Sequence, residues 1–191
     1  MGRFLGITGT PGTGKKTLAP KVAVQLGLPC IGLNQLLTGG ELTEPERGVD
    51  PRKLRKRLMK RHDRRAVVFG HMVPDVLEKR DLEKVVVLRC EPSVLGRRLR
   101  RRGYTEEKVA ANVEAELIGF VSAGCISKYG RGKMAEFDTT DRLIRGSAKA
   151  VARLLGSPES KGKLIDWVPL YSSAVKLRSL LSDASTDSAF T

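Results

Sequence analysis

The residues best placed to do chemistry stand near the start of the chain. Gly9-Thr10-Pro11-Gly12-Thr13-Gly14-Lys15-Lys16-Thr17 has the Gly-x4-Gly-Lys spacing of a phosphate-binding loop. Glycines let successive backbone N–H groups turn inward around phosphate oxygens. A helix opening directly behind the loop adds partial positive charge at the same point. Gly12, Thr13, Gly14, Lys15, Lys16 and Thr17 are therefore the candidate nucleotide-binding residues, with Lys15 placed to reach the β- and γ-phosphates. One letter departs from the pattern. Position 16 normally carries a hydroxyl that ligates Mg²⁺, and here it is a lysine. Thr17 comes one residue late. A helix turns about 100° per residue, so Thr17 points elsewhere; the α-phosphate is the oxygen source it is expected to reach. Two readings of Lys16 stay open: an ammonium that replaces part of the metal's charge, or a solvent-facing side chain beside a water-held Mg²⁺.

The loop needs a strand before it and a helix after it. Phe4-Leu5-Gly6-Ile7-Thr8 is a short apolar run of strand type, and Leu18, Val22 and Leu26 lie on one helical stripe. Further strands are expected at Cys30–Gly32, Ala66–Phe69, Val85–Arg89 and Met134–Asp138. Gly70 and His71 follow the third run, at the strand end that faces the ligand crevice in open α/β sheets. Asp50 is expected to cap a helix opening at Pro51, and Glu91-Pro92-Ser93 opens another. Thr105 begins a long helix with Val109, Val113, Leu117 and Phe120 in register. A helix is expected over 141–155. Residues 165–181 carry Leu170, Val175, Leu177, Leu180 and Leu181, enough for a helix against the core. Strands alternating with helices predict an α/β fold: a parallel sheet with helices on both faces.

Charge is concentrated. The 191 residues hold 35 Lys+Arg against 21 Asp+Glu, a formal net charge of +14. Residues 52–65 carry nine bases and one acid, and 97–102 carry five bases, so two short segments supply almost the whole excess. Anionic partners follow: nucleotide, nucleic acid or anionic lipid. Cys30, Cys90 and Cys125 are odd in number and far apart, which excludes a disulfide framework and a zinc site and leaves them as apolar residues of a reducing compartment. No apolar run reaches the length of a membrane span, and the N-terminal one is too short for a signal peptide, so the expected location is the cytoplasm.

The chain resembles the archaeal adenylate kinases of the isoenzyme-six type, P-loop nucleoside monophosphate (NMP) kinases also associated with small-subunit ribosome assembly. The resemblance spans most of the chain. It rests on Gly9 to Lys15, His71, Val87-Leu88-Arg89, Arg98-Leu99 with Arg102-Gly103-Tyr104, Asn112 to Glu116, Glu136-Phe137-Asp138-Thr139-Thr140 and Ile165-Asp166-Trp167. It implies a P-loop NTPase fold with short NMP-binding and lid inserts. A single kinase domain would span 1–181, with the NMP-binding insert at about 32–55, the lid at about 101–111, a C-terminal helical extension at about 162–181 and a disordered tail over 182–191. Arg102 would contact ATP phosphates with Arg98 assisting, and His71 would orient water or a phosphate. The implied catalytic set is Lys15, His71, Arg98 and Arg102. The family's Asp-x-His element has Phe69 at the aspartate position, a second departure touching the same metal.

The expected activity is reversible transfer of the ATP γ-phosphate to AMP or another NMP, with ATPase activity, by a monomer that uses ATP and Mg²⁺. The alternative is a catalytically weak nucleotide-binding factor that holds small-subunit rRNA or a ribosomal protein. Monophosphate binding needs one or two arginines, so the nine bases of 52–65 favour an RNA partner, contacted through its backbone because no aromatic residue interleaves them. A shikimate- or gluconate-type kinase ranks lower, for want of a recognisable acid–arginine constellation in 32–55. A catalytically dead nucleotide binder draws its support from Lys16 and Phe69.

Overall fold

The computed structural model describes residues 3–38, 50–141, 144–157 and 162–173, together with 176 and 179. Five strands, β1 (Phe4–Thr8), β2 (Cys30–Gly32), β3 (Ala66–Phe69), β4 (Leu82–Arg89) and β5 (Met134–Asp138), form one sheet in the order β2-β3-β1-β4-β5. Every pairing is parallel. A parallel sheet has both faces covered, so its strands are largely apolar, as β3 (AVVF) and the Val85–Leu88 stretch of β4 are; β4 and β5 nevertheless carry Arg89 and Glu136 at buried positions. β1 sits in the middle with all five residues buried.

Side-chain alternation divides the core. Phe4, Val68, Val85 and Val87 face α3 (Pro51–Arg61), α4 (Val73–Val76) and α7 (Phe120–Tyr129). Leu5, Ile7, Val67, Val86 and Leu88 face α1 (Lys15–Leu26) and α8 (Ile144–Gly156). A third cluster of Leu95, Leu99, Val109 and Val113 joins α5 (Pro92–Arg100) to α6 (Glu106–Leu117) beside the carboxyl end of β4. A short helix, α2 (Gln35–Thr38), follows β2. The expected α/β fold, a parallel sheet with helices on both faces, is the one observed.

The local signals for the helix starts hold. Asp50 accepts from the Arg52 amide with Pro51 at the first helical position. Glu91 accepts from the amides of Ser93 and Val94, and Thr105 from Lys108. α3 is anchored by Leu54 and Leu58, both buried, which turns its basic residues outward.

Two expectations need correction. The helix expected to run through Phe120 is two helices, α6 and α7, bent by 51°. Gly119 takes a left-handed φ of 66° and ends α6, a conformation open to glycine at little cost, and the sequence periodicity continues across it unbroken. Phe120 is consequently 68% exposed. The helix expected to begin at Thr105 does so as α6, whose first turns take up residues 106–111 of the region implied as lid, with Val109 buried against α5. The C-terminal extension is not helical over its first part: 162–167 has no regular structure and Val168–Tyr171 is a single 3-10 turn, with Leu170 exposed. Bonds from Ile165 and Trp167 to the core hold that segment in place of helical ones. The expected tail over 182–191, Val175, Leu177, Leu180 and Leu181, and the central part of the expected NMP-binding insert (39–49) lie outside the described residues. No single described helix is long and apolar enough to cross a membrane.

Candidate functional site

The loop from Gly9 to Gly14 joins the carboxyl end of β1 to the first turn of α1. Its shape is imposed from three sides. A Cβ on Gly9 would stand 2.3 Å from the Leu88 carbonyl oxygen, so the loop lies against β4 more closely than any side chain permits. At Gly12 the φ is 93°, and a Cβ would meet Leu95 of α5 at 2.6 Å. Thr13 donates to the Thr10 carbonyl at 2.9 Å, while its own carbonyl accepts from the Thr139 hydroxyl at 3.1 Å. A Cβ on Gly14 would meet nothing within 4 Å, so the mouth of the loop is open.

The Lys15 ammonium folds back under this loop, donating to the carbonyls of Gly9 at 2.6 Å and Thr10 at 2.9 Å. Burial lowers its pKa from 10.5 to about 7; Glu116 opposes the shift, and Arg102 and Lys16 add to it. The lysine expected to hold phosphate is thus packed among backbone carbonyls with two further cations near it. Charge on it is costly here, and an entering phosphate would relieve that cost.

Gly12, Thr13, Gly14 and Thr17 line one cleft of about 200 Å³ together with Leu18, Arg98, Arg102, Thr139 and Ser147. Six of the expected site residues are therefore brought together. Arg102 is exposed at the cleft edge, just past the end of α5. Arg98 lines the cleft while its guanidinium donates to the carbonyls of Thr139 at 2.9 Å and Thr140 at 2.8 Å, and to Cys90 Sγ at 3.2 Å. It braces the loop after β5, a contact that its place in a run of arginines did not suggest.

Lys16 is exposed and is not among the cleft-lining residues, and neither is His71. His71 stands exposed at the end of β3, its carbonyl accepting from the Thr8 hydroxyl at 3.4 Å. Phe69 is half-buried and packs with the apolar cluster on the α1 side of the sheet. Neither position fits direct Mg²⁺ ligation. A lysine ammonium repels the cation, a phenyl ring offers it no oxygen, and no group of three His, Cys, Asp or Glu side chains among the described residues is arranged to hold a metal ion.

The residue missed at the site is Glu116. It is 1% exposed, and its Oε2 accepts from the Thr10 hydroxyl of the phosphate loop at 2.5 Å. Its Oε1 accepts from Arg89 Nε at 2.7 Å, from the Cys90 amide at 3.1 Å and from Trp167 Nε1 at 3.3 Å. Arg89 also donates to Glu136 at 2.7 Å. Burial alone would lower the Arg89 pKa, but the two carboxylates outweigh it and raise it. The sequence did carry a signal. The segments holding Arg89, Glu116, Glu136 and Trp167 are among those that carry the family resemblance, and they meet here.

Residues 5–119 match the family described as AAA domain. A Pyrococcus abyssi protein named "putative adenylate kinase" is 31% identical over 177 residues, covering 90% of this chain and 95% of its own. A Thermococcus kodakarensis protein of the same name is 32% identical over 173 residues, covering 88% and 94%. Among solved structures, the shikimate kinase of Acinetobacter baumannii in complex with shikimate superposes with a TM-score of 0.58 at 18% identity, over 81% of this chain and 93% of that one. That likeness is one of fold.

Proposed function

The chain belongs to the AAA-domain family and stands with the archaeal proteins that bear the adenylate kinase name, and from that premise we propose that it transfers the γ-phosphate of ATP reversibly to AMP or a closely related monophosphate. The observation that carries the reading is the cleft between the phosphate loop and the arginine-rich end of α5, with Thr17, Arg98 and Arg102 around one space and Lys15 under the loop. Phosphoryl transfer rests on positioning and charge neutralisation. The loop amides and Lys15 hold the donor phosphates. Arg102, free of a helical position, swings over the transferring group. Arg98 sets the 139–140 loop that forms the far wall. His71, at the carboxyl end of β3, orients the acceptor side. No step is derived through a protein-held Mg²⁺; the cations that the chain itself supplies are the side chains of Lys15 and Arg102. Residues 32–55 serve as the acceptor region and the turn after α5 as the lid.

ADP formation from ATP and AMP by the purified protein tests this. Turnover at background, together with a Lys15→Ala variant that binds ATP as tightly as the natural chain, refutes it.

The charge of α3 favours a second, compatible role in small-subunit rRNA maturation. Arg52, Lys53, Lys56, Lys60, Arg61 and Arg64 are all exposed on or just beyond that helix, whereas Arg55 and Arg65 are committed to ion pairs with Asp81 and Glu83. Six phosphate contacts would give a slope of roughly −4 in log affinity against log salt for a single-stranded RNA. A flat salt response, or no binding of small-subunit RNA at low salt, rejects the role.

A further inference from the structure

Beneath the phosphate loop lies a buried charge cluster that the transfer reaction itself does not call for. Arg89 joins two carboxylates, Glu116 and Glu136, each almost wholly buried. Burying three ionised groups is costly unless each is closely paired and its remaining hydrogen-bonding capacity is used. Here the pairing is thorough. Glu116 accepts four side-chain or backbone donors on its two oxygens, and its own carbonyl accepts from Arg89 Nη2 at 2.8 Å. Glu136 accepts from Arg89, from the Ser122 hydroxyl and from the Ile165 amide. Arg89 also donates to the Ile165 carbonyl at 3.0 Å.

These contacts reach two other parts of the chain. Thr10 belongs to the phosphate loop. Ile165 and Trp167 belong to the irregular segment 162–167. That segment has no helical or strand bonds of its own; its grip on the core includes the Ile165 bonds to Glu136 and Arg89 and the Trp167 bond to Glu116. Trp167 is buried while Leu164 and Val168 on either side are exposed, so the segment is pinned at the point where it touches Glu116. On the loop side, Thr10 offers its hydroxyl to Glu116 and its carbonyl to Lys15. A nucleotide phosphate that draws Lys15 away removes a donor from that carbonyl, and Thr10 must readjust.

We propose that Glu116 is the positioning residue of the phosphate loop, and that through it nucleotide occupancy is coupled to the anchoring of segment 162–167. The proposal rests on the nucleotide-site reading above. It makes Glu116 act on ATP through Thr10, without touching the nucleotide. By linkage, whatever the nucleotide does to the anchoring of Trp167, the anchoring does to nucleotide affinity.

Trp167 is the only tryptophan in the chain, so its emission reports on this contact alone. The experiment titrates the full-length protein with ATP and follows binding by calorimetry and by Trp167 emission in parallel. The natural chain shows a saturable emission change whose midpoint equals the calorimetric Kd. Thr10→Val removes the hydroxyl donor and leaves the Arg89–Glu116–Glu136 cluster intact; ATP affinity falls roughly tenfold or more, the worth of one hydrogen bond to a charged group. The emission change is lost even at saturating ATP, and Thr10→Ser restores both. Trp167→Phe, which keeps an aromatic ring but loses the indole Nε1–H, weakens ATP binding in calorimetry. ATP heat without any emission change in the natural chain overturns the coupling, and so does Thr10→Val that matches the natural chain in both readouts. Absence of ATP heat from the natural chain overturns the nucleotide reading itself and this proposal with it.

Discussion

Under the proposed function, Lys15 should make ATP binding a proton-linked event. In the free protein its ammonium is packed under the loop, and burial brings its pKa to about 7 against Glu116, which opposes the shift, and with Arg102 and Lys16, which reinforce it. In the proposed complex the same nitrogen would face phosphate, which would hold its charged form. With a free-state value near 7, about one tenth of the lysine is charged at pH 8 and about one hundredth at pH 9. Affinity should therefore drop about tenfold between those two values, and binding at pH 8 should take up about 0.9 proton per site. That window lies above the second ionisation of a phosphate monoester near 6, so the ligand contributes little. Cys30, at about 11, is silent there. The assay is calorimetry at pH 8 and 9 in buffers of different ionisation enthalpy. Lys15→Arg stays charged throughout and should give a flat profile at whatever affinity it retains. The folded-state pKa lies below the ordinary 10.5, so the unfolded chain binds more protons between about 7 and 10.5, and ligand-free stability should rise with pH across that window. A pH-independent Kd with no proton uptake refutes the placement of Lys15 among the carbonyls.

Other consequences are simpler. ATP affinity should survive EDTA with less than a tenfold loss, because the two usual metal positions hold Lys16 and Phe69; the double variant Lys16→Thr with Phe69→Asp should make both binding and turnover depend on Mg²⁺, and a natural chain that already loses all ATP binding in EDTA contradicts this. Gly12→Ala combines a φ of 93° with a 2.6 Å approach to Leu95 and should lower stability by about 1–3 kcal/mol in urea unfolding, whereas Gly14→Ala meets only the φ penalty, about 1 kcal/mol. Leu58→Ala, at a site with no exposed surface, should cost about 2–5 kcal/mol, while Lys56→Ala on the outer face of the same helix should stay within about 0.5 kcal/mol.

The sequence by itself determined the strand–loop–helix of phosphate-loop spacing, the alternation of strands and helices, the caps at Asp50, Glu91 and Thr105, and the concentration of charge in two segments. All of these are local. A glycine spacing, an i,i+4 stripe or an N-cap is written within a few consecutive residues, and the backbone reads it without help from the rest of the chain. Tertiary structure decided the rest. Thr10 and Glu116 are 106 positions apart, and Arg89 and Glu136 are 47. No periodicity links such pairs; only the order β2-β3-β1-β4-β5, which sets β1, β4 and β5 side by side, brings their ends together. The same holds for Arg98, which the family resemblance implies as an assistant at the ATP phosphates and which packing sets on the carbonyls of Thr139 and Thr140. The break at Gly119 left the apolar spacing intact while turning Phe120 outward, because periodicity records which residues are apolar and not where the backbone bends. Glu116 shows the division most plainly: its neighbours in sequence make it one more acid on a helix, and its neighbours in space make it the support of the phosphate loop.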